Sequence, residues 1–205
     1  MYEFTGTIVG VRCKDGIALA SDTRGTSHYL VLSKRVHKIF KLDESIGAAI
    51  SGSSGDVQGF VSMLKVEANL YRLNRGRAIP AKGLVQVASN VLFGRRMFPY
   101  IVAGVISGMD DGVPCLYFLD PVGGKIEEEK FASAGSGSTI AYGVLEQTYR
   151  DNMTLDECAK LAAQSIRTAI ERDAATGDKT VVAVIDKDGY RELSEDEVKS
   201  LLKVS

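Results

Sequence analysis

The chain has 205 residues, 45% of them hydrophobic and 25% charged, with a formal net charge of −1. That length matches one ordinary domain able to bury a full core, and 25 Lys+Arg against 26 Asp+Glu leave no excess positive field to recruit nucleic acid or an anionic membrane surface. The longest apolar stretch, near residues 100–106, falls far short of the ~18 residues of a bilayer span, and the start MYEFTG has neither the basic nor the apolar region of a secretory signal.

Residues 5–12 read as a strand, Lys14-Asp15-Gly16 as a turn, and 16–22 as the returning strand. Residues 28–32 and 35–42 read as extended, and 45–51 as another short apolar strand ended by the Gly52-Ser53-Ser54-Gly55 loop. Val57, Phe60, Val61, Leu64, Ala68 and Tyr71 recur at helical spacing, with Gly76 as the stop. After Pro80 a second helix runs to about residue 95, with Leu84, Val85, Ala88 and Leu92 on one side.

The second half repeats this order. Strands at 100–107, 115–119 and about 126–134 are separated by the turn-rich segments 109–114 and 121–124. The glycine loop Gly135-Ser136-Gly137-Ser138 opens a helix near 140–149. Thr154 with Glu157, and Ser194 with Glu197, have capping-box spacing and start two further helices. Strands at 180–185 and 190–193 meet at the turn Lys187-Asp188-Gly189. Strands, two helices, strands, two helices, strands is not a βαβ alternation, which argues against a parallel doubly wound sheet. The pattern predicts an α+β fold, a four-layer α-β-β-α sandwich of two antiparallel sheets between helix pairs.

Lys38 is the first residue with chemical potential. Period-two alternation puts it on the face of Val36, Phe40 and Leu42, where an ammonium is either paired or easily deprotonated; the alternative is an exposed face or a snorkelling stem. Asp22, at a strand end, suits such a lysine as partner and equally suits a turn. Asp173 lies where polar groups bunch between a helix and a strand, as an ordinary helix-end loop would also have it. Cys13, Cys115 and Cys158 are an odd number without metal-ligand spacing, and His28 and His37 have no matching carboxylate or cysteine spacing. A reducing cytoplasm and no structural zinc are expected. The glycine loops lack both the Gly-Lys-Ser/Thr of a phosphate loop and the third glycine of a dinucleotide fingerprint. Backbone N–H groups at a helix start can instead form an oxyanion hole.

Taken in order, Gly6-Thr7-Ile8-Val9-Gly10-Val11, Ala20-Ser21-Asp22-Thr23-Arg24, Lys38-Ile39-Phe40 with Ser51-Gly52, Arg96-Met97-Phe98-Pro99-Tyr100, Gly135-Ser136-Gly137-Ser138 and Glu171-Arg172-Asp173 resemble the β subunits of 20S proteasomes, archaeal ones especially. These belong to the N-terminal-nucleophile hydrolases. The resemblance runs nearly end to end. It implies a threonine-type endopeptidase assembly that degrades unfolded polypeptides, with α subunits, further β subunits in seven-membered rings and an ATPase cap as partners, and no metal or organic cofactor. In that family an amino-terminal threonine, freed by self-cleavage, attacks the scissile carbonyl, with a lysine and an aspartate managing its proton.

Position by position, the resemblance assigns that aspartate and lysine to Asp22 and Lys38, and the oxyanion donor to Gly52. Ser136, Asp173 and Thr176 would hold the α-amine, with Thr176 standing where a serine is usual. Gly25, Thr26, Val36, Phe40, Ile50 and Ser54 would line the substrate cleft and favour large apolar side chains. The nucleophile's place falls on Gly6, which has no hydroxyl. Thr7 is the alternative nucleophile, after cleavage at Gly6-Thr7, but a one-residue shift on a strand turns a side chain to the other face. The chain is therefore expected to be a silent β subunit or a threonine-to-glycine variant, with residues 1–5 retained ahead of one β-type domain at 6–205. A purely structural ring-assembly role is the reading from another class; a free-standing amide hydrolase or nucleotide-binding module would instead be a small monomer or dimer.

Overall fold

The computed structural model describes residues 6–203, so the expectation for residues 1–5 lies outside the described residues. Strands β1 (Thr7–Arg12), β2 (Ile17–Asp22), β10 (Phe131–Gly135), β11 (Thr180–Asp186) and β12 (Gly189–Glu192) form one antiparallel sheet in the order β10-β1-β2-β11-β12. Strands β5 (Ile39–Asp43), β6 (Ile46–Gly52), β7 (Val102–Asp110), β8 (Val113–Leu119) and β9 (Lys125–Glu127) form a second, in sequence order and also antiparallel. A separate hairpin joins β3 (Gly25–Ser27) to β4 (Leu30–Ser33).

Side-chain alternation sorts the strand residues into layers. Ile8, Ile17 and Leu19 of the first sheet meet Ile39, Val105 and Leu116 of the second in a fully buried layer between the sheets. The opposite faces are covered by helices. Val9, Val11, Ala18 and Val184 pack against α3 (Ser138–Thr148), α4 (Leu155–Arg172) and α5 (Glu195–Leu202). Leu42, Ala48, Ile106 and Tyr117 pack against α1 (Ser54–Arg75) and α2 (Ala81–Gly94). The result is the four-layer α-β-β-α sandwich that the sequence pattern predicts.

The helices begin and end where local chemistry directs. Thr154 and Ser194 both complete reciprocal capping boxes, with Glu157 and Glu197. Helix α1 buries Val57, Phe60, Val61, Leu64 and Ala68 on one stripe and closes on Gly76, whose N–H bonds to the Arg72 carbonyl. The start of α2 is satisfied from a distance, since both Asp110 carboxylate oxygens accept from it, one from Ala81 N–H and one from Lys82 N–H.

Three strand expectations are corrected. The expected turn at 109–114 is mostly ladder: β7 and β8 pair from Gly104 to Asp110, and only Asp111-Gly112, both with positive φ, form the loop. Pro114 is tolerated because β8 there has β7 as its one neighbour. The expected strand at 126–134 is two, β9 and β10, in different sheets. The charged run Glu127-Glu128-Glu129-Lys130 has no apolar alternation and carries the chain from one sheet edge to the other. The expected strand at 35–42 begins only at Ile39. Before it, Val36 N–H bonds to Thr23 O, and Lys38 O accepts from Ile50 N–H.

Candidate active site

The ends of β1, β2 and β5 meet at one edge of the sandwich, and there the strand parity of the core decides what faces what. Ile8 points between the sheets, while Thr7 shares the face of Val9 toward the α3–α4 layer. Gly6 continues the Ile8 side. A Cβ built on Gly6 would lie 2.0 Å from Lys38 Nζ and 2.6 Å from Asp22 Oδ1. Position 6 thus faces the ammonium directly, and the lysine head occupies the space that a side chain at 6 would fill. Its φ of 80° belongs to the region that glycine adopts freely.

Asp22 is fully buried and accepts four hydrogen bonds. Oδ1 takes Thr7 N–H at 2.8 Å and Lys38 Nζ at 2.5 Å, and Oδ2 takes Arg24 N–H at 2.9 Å and Gly177 N–H at 3.0 Å. Lys38, 4% exposed, also donates to Arg24 O at 2.8 Å. Burial lowers the lysine's proton affinity below its ordinary value, and the nearby Arg24 guanidinium works the same way. The carboxylates of Asp22 and Asp173 oppose the shift.

A second cluster sits beside the first. Asp173, at the C-terminal end of α4, accepts from Ser136 Oγ at 2.5 Å and from Thr176 Oγ1 through the same oxygen. Ser136 N–H donates to Gly6 O at 2.9 Å, and its Oγ, whose proton goes to Asp173, lies 3.3 Å from the same carbonyl oxygen. Of the three, Ser136 touches the backbone of residue 6, Asp173 is reached from there through Ser136 Oγ, and Thr176 joins Asp173 to the Thr7 hydroxyl. The Thr7 hydroxyl is buried and committed elsewhere, 2.6 Å from Thr176 Oγ1 and accepting from Gly137 N–H at 3.1 Å.

A cleft of about 610 Å³ opens on Lys38. Gly25, Thr26, Val36, Phe40, Ile50 and Ser54 all line it, as does Gly52. Gly52 holds a φ of 153°, and a Cβ there would stand 1.9 Å from Ile101 O, so the strand end and the start of α1 approach this closely only without a side chain. Sequence reasoning gave no role to Arg24, yet its carbonyl holds Lys38 and its guanidinium bonds Asp178 Oδ2 at 3.1 Å and Ala174 O at 3.0 Å. It ties residues 174 and 178, between α4 and β11, to the end of β2. The sequence signal was its place two residues after Asp22. Arg35, His37, Ser53 and Gln58 also line the cleft and were likewise missed.

A two-sheet sandwich between helix layers, with a lysine–aspartate pair under the first residues of β1 and a cleft beside them, has the architecture of the N-terminal-nucleophile hydrolases. The family model described as "Proteasome subunit" matches residues 3–185. The chain is 43% identical over 197 residues to "Proteasome subunit beta 1" of Thermococcus onnurineus, covering 96% of both chains. It is 42% identical over 194 residues to "Proteasome subunit beta" of Methanosarcina thermophila, covering 95% of this chain and 92% of that one. "Proteasome subunit beta 1" of Thermococcus sibiricus is 44% identical over 197 residues, covering 96% of this chain and 94% of the relative. The chain belongs to the proteasome family, among its β subunits. Among the described residues, no helix is long and apolar enough to cross a membrane.

Proposed function

We propose that this chain is a non-catalytic β subunit of a cytoplasmic 20S-type proteasome, building rings with α subunits and other β subunits while a different β chain supplies the attacking threonine. The particle hydrolyses unfolded polypeptides delivered by an ATPase cap, and residues 1–5 stay attached to this subunit. The observation that carries this reading is the direction of residue 6: it faces Lys38 and Asp22 at side-chain distance and has no oxygen to offer. In the corresponding reaction a hydroxyl at position 6 would be the nucleophile, Lys38 and the free amine would manage its proton, Asp22 would hold Lys38, and Gly52 would donate to the developing oxyanion. Thr7 is poorly suited to replace it, since its hydroxyl bonds Thr176 and Gly137 on the other side of β1.

The test is a Gly6→Thr chain released from a cleavable leader so that it begins at residue 6. In the uncut chain the φ of 80° would strain a β-branched residue; a chain starting at 6 has no preceding carbonyl and no such restriction, and the flexible lysine head can retreat. Assembled with α subunits, the released variant is expected to hydrolyse a fluorogenic peptide while the parent does not. An inactive variant with the correct mass would show that Lys38 and Asp22 are not poised for catalysis. A parent that loses its first six residues and hydrolyses peptide would overturn the proposal in favour of Thr7.

A further inference from the structure

The cleft beside Gly6 combines an apolar floor with a rim of one charge sign. Val36, Phe40, Ile50 and Val57 supply the floor, whereas Arg35, His37 and Lys38 bring cationic or basic groups, and among the described residues no Asp or Glu lines it. Two of those three groups already have carboxylate partners. Lys38 pairs with Asp22 at 2.5 Å, and His37 Nε2 lies 3.8 Å from a Glu192 oxygen. The acid nearest the cleft on α1, Asp56, is engaged by Ile101 N–H. Arg35 differs. Its backbone N–H bonds Ser33 Oγ, but its guanidinium has no ion-pair or hydrogen-bond partner among the described residues. An arginine that lines an apolar cleft and has no partner for its guanidinium is complementary to a carboxylate, which the planar fork can grip through two parallel N–H donors.

We infer that the cleft selects peptides in which a carboxylate side chain stands next to a large apolar one, with the apolar group on the Val36–Phe40–Ile50 floor and Arg35 as the specificity-determining cation. This rests on the reading of the cleft as a peptide site and adds the charge of its ligand. Composition gives no hint of it, because the chain as a whole is nearly neutral; the asymmetry is local to the cleft.

Equilibrium binding tests it, using the full chain in the assembly state in which it purifies. The probes are Ala-Leu-Glu-Leu, Ala-Glu-Leu-Ala and their glutamine counterparts, each carrying a neutral dansyl group and a C-terminal amide so that the side chain is the sole carboxylate. A free-acid form of Ala-Leu-Gln-Leu separates recognition of a chain terminus from recognition of a side chain. At low salt at least one glutamate peptide is expected to bind about three- to fivefold tighter than its glutamine match, the range of a partly exposed ion pair. Arg35→Gln should bring that ratio to one, and high salt should shrink it. A ratio of one in the parent for both pairs, a ratio that Arg35→Gln leaves unchanged, or preference for the free acid alone would overturn the inference while leaving the peptide site standing. Failure of the peptide-site reading looks different: no probe saturates, or a cleft-filling Ser54→Trp leaves binding intact.

Discussion

Asp22→Ala is the substitution for which the structure predicts the largest effect at the site. The carboxylate is fully buried and is shared by Thr7 N–H, Lys38 Nζ, Arg24 N–H and Gly177 N–H. Truncation leaves the Lys38 ammonium with Arg24 O as its remaining acceptor, at 2.8 Å, and removes the link from β2 to the loop before β11. Breaking a buried pair by deleting one partner costs about 3–5 kcal/mol, because the surviving charge stays desolvated. With a urea dependence of roughly 2 kcal/mol per molar, the unfolding midpoint should fall by about 1.5–2.5 M. The chain has no tryptophan and eight tyrosines, so far-ultraviolet circular dichroism or tyrosine fluorescence follows the transition.

Lys38→Met should cost less, about 1–3 kcal/mol, since Asp22 keeps three backbone N–H donors. The double variant Asp22→Ala/Lys38→Met separates the orphaned charge from lost packing, and it should be more stable than Asp22→Ala alone. If Asp22→Ala stays within about 1 kcal/mol of the parent, on the scale of an exposed pair, or the double variant is no more stable than the single, the buried-pair argument is wrong.

Two further predictions use the same chain. Burial holds the Lys38 ammonium below its ordinary range, so between its folded value and the unfolded ~10.4 the unfolded chain binds more protons, and the lysine's contribution to stability rises with pH. Cys115 and Tyr117, both pushed up to about 12 chiefly by burial, act oppositely on the alkaline side. The measurement is therefore the parent-minus-Lys38→Met difference in unfolding free energy, which should grow toward pH ~10.4; a flat or shrinking difference refutes the assignment. Gly52→Ala should destabilise by about 2–4 kcal/mol through backbone strain and overpacking, since its Cβ would stand 1.9 Å from Ile101 O. Calorimetry should show a Tm lower by roughly 5–15 °C, and an unchanged Tm would rule the crowding out.

Features governed by short-range chemistry were legible in the sequence. Both capping boxes, the buried stripe of α1 and the layer order follow from spacings of three, four and two residues, and the structure has all of them. The parity of Lys38 was legible although residues 34–38 are not a strand, because Ile39 enters the inter-sheet core and thereby sets which way its neighbours face. The split between β9 and β10 was not legible, since a change of sheet depends on which edges stand nearby. Arg24 was missed for a similar reason. Its contacts with Ala174 and Asp178 span 150 and 154 residues of sequence, and no local pattern announces a partner so distant.

The same distances bear on why a site would keep its lysine and aspartate when residue 6 has no side chain. Asp22 holds the end of β2 to the start of β1 through Thr7, to Lys38 before β5 and to Gly177 before β11. Loss of Asp22 alone would strand a buried ammonium at about 3–5 kcal/mol, a large share of a typical ~5–15 kcal/mol folding free energy, and loss of Lys38 alone would cost about 1–3 kcal/mol. Loss of a hydroxyl at position 6 costs the fold little, because Lys38 Nζ fills the space and Ser136 still bonds the residue-6 carbonyl. On the function proposed above, a hydroxyl at position 6 is thus the group that the fold does not need, and without it Asp22 and Lys38 stand under the same stability constraint as any buried ion pair.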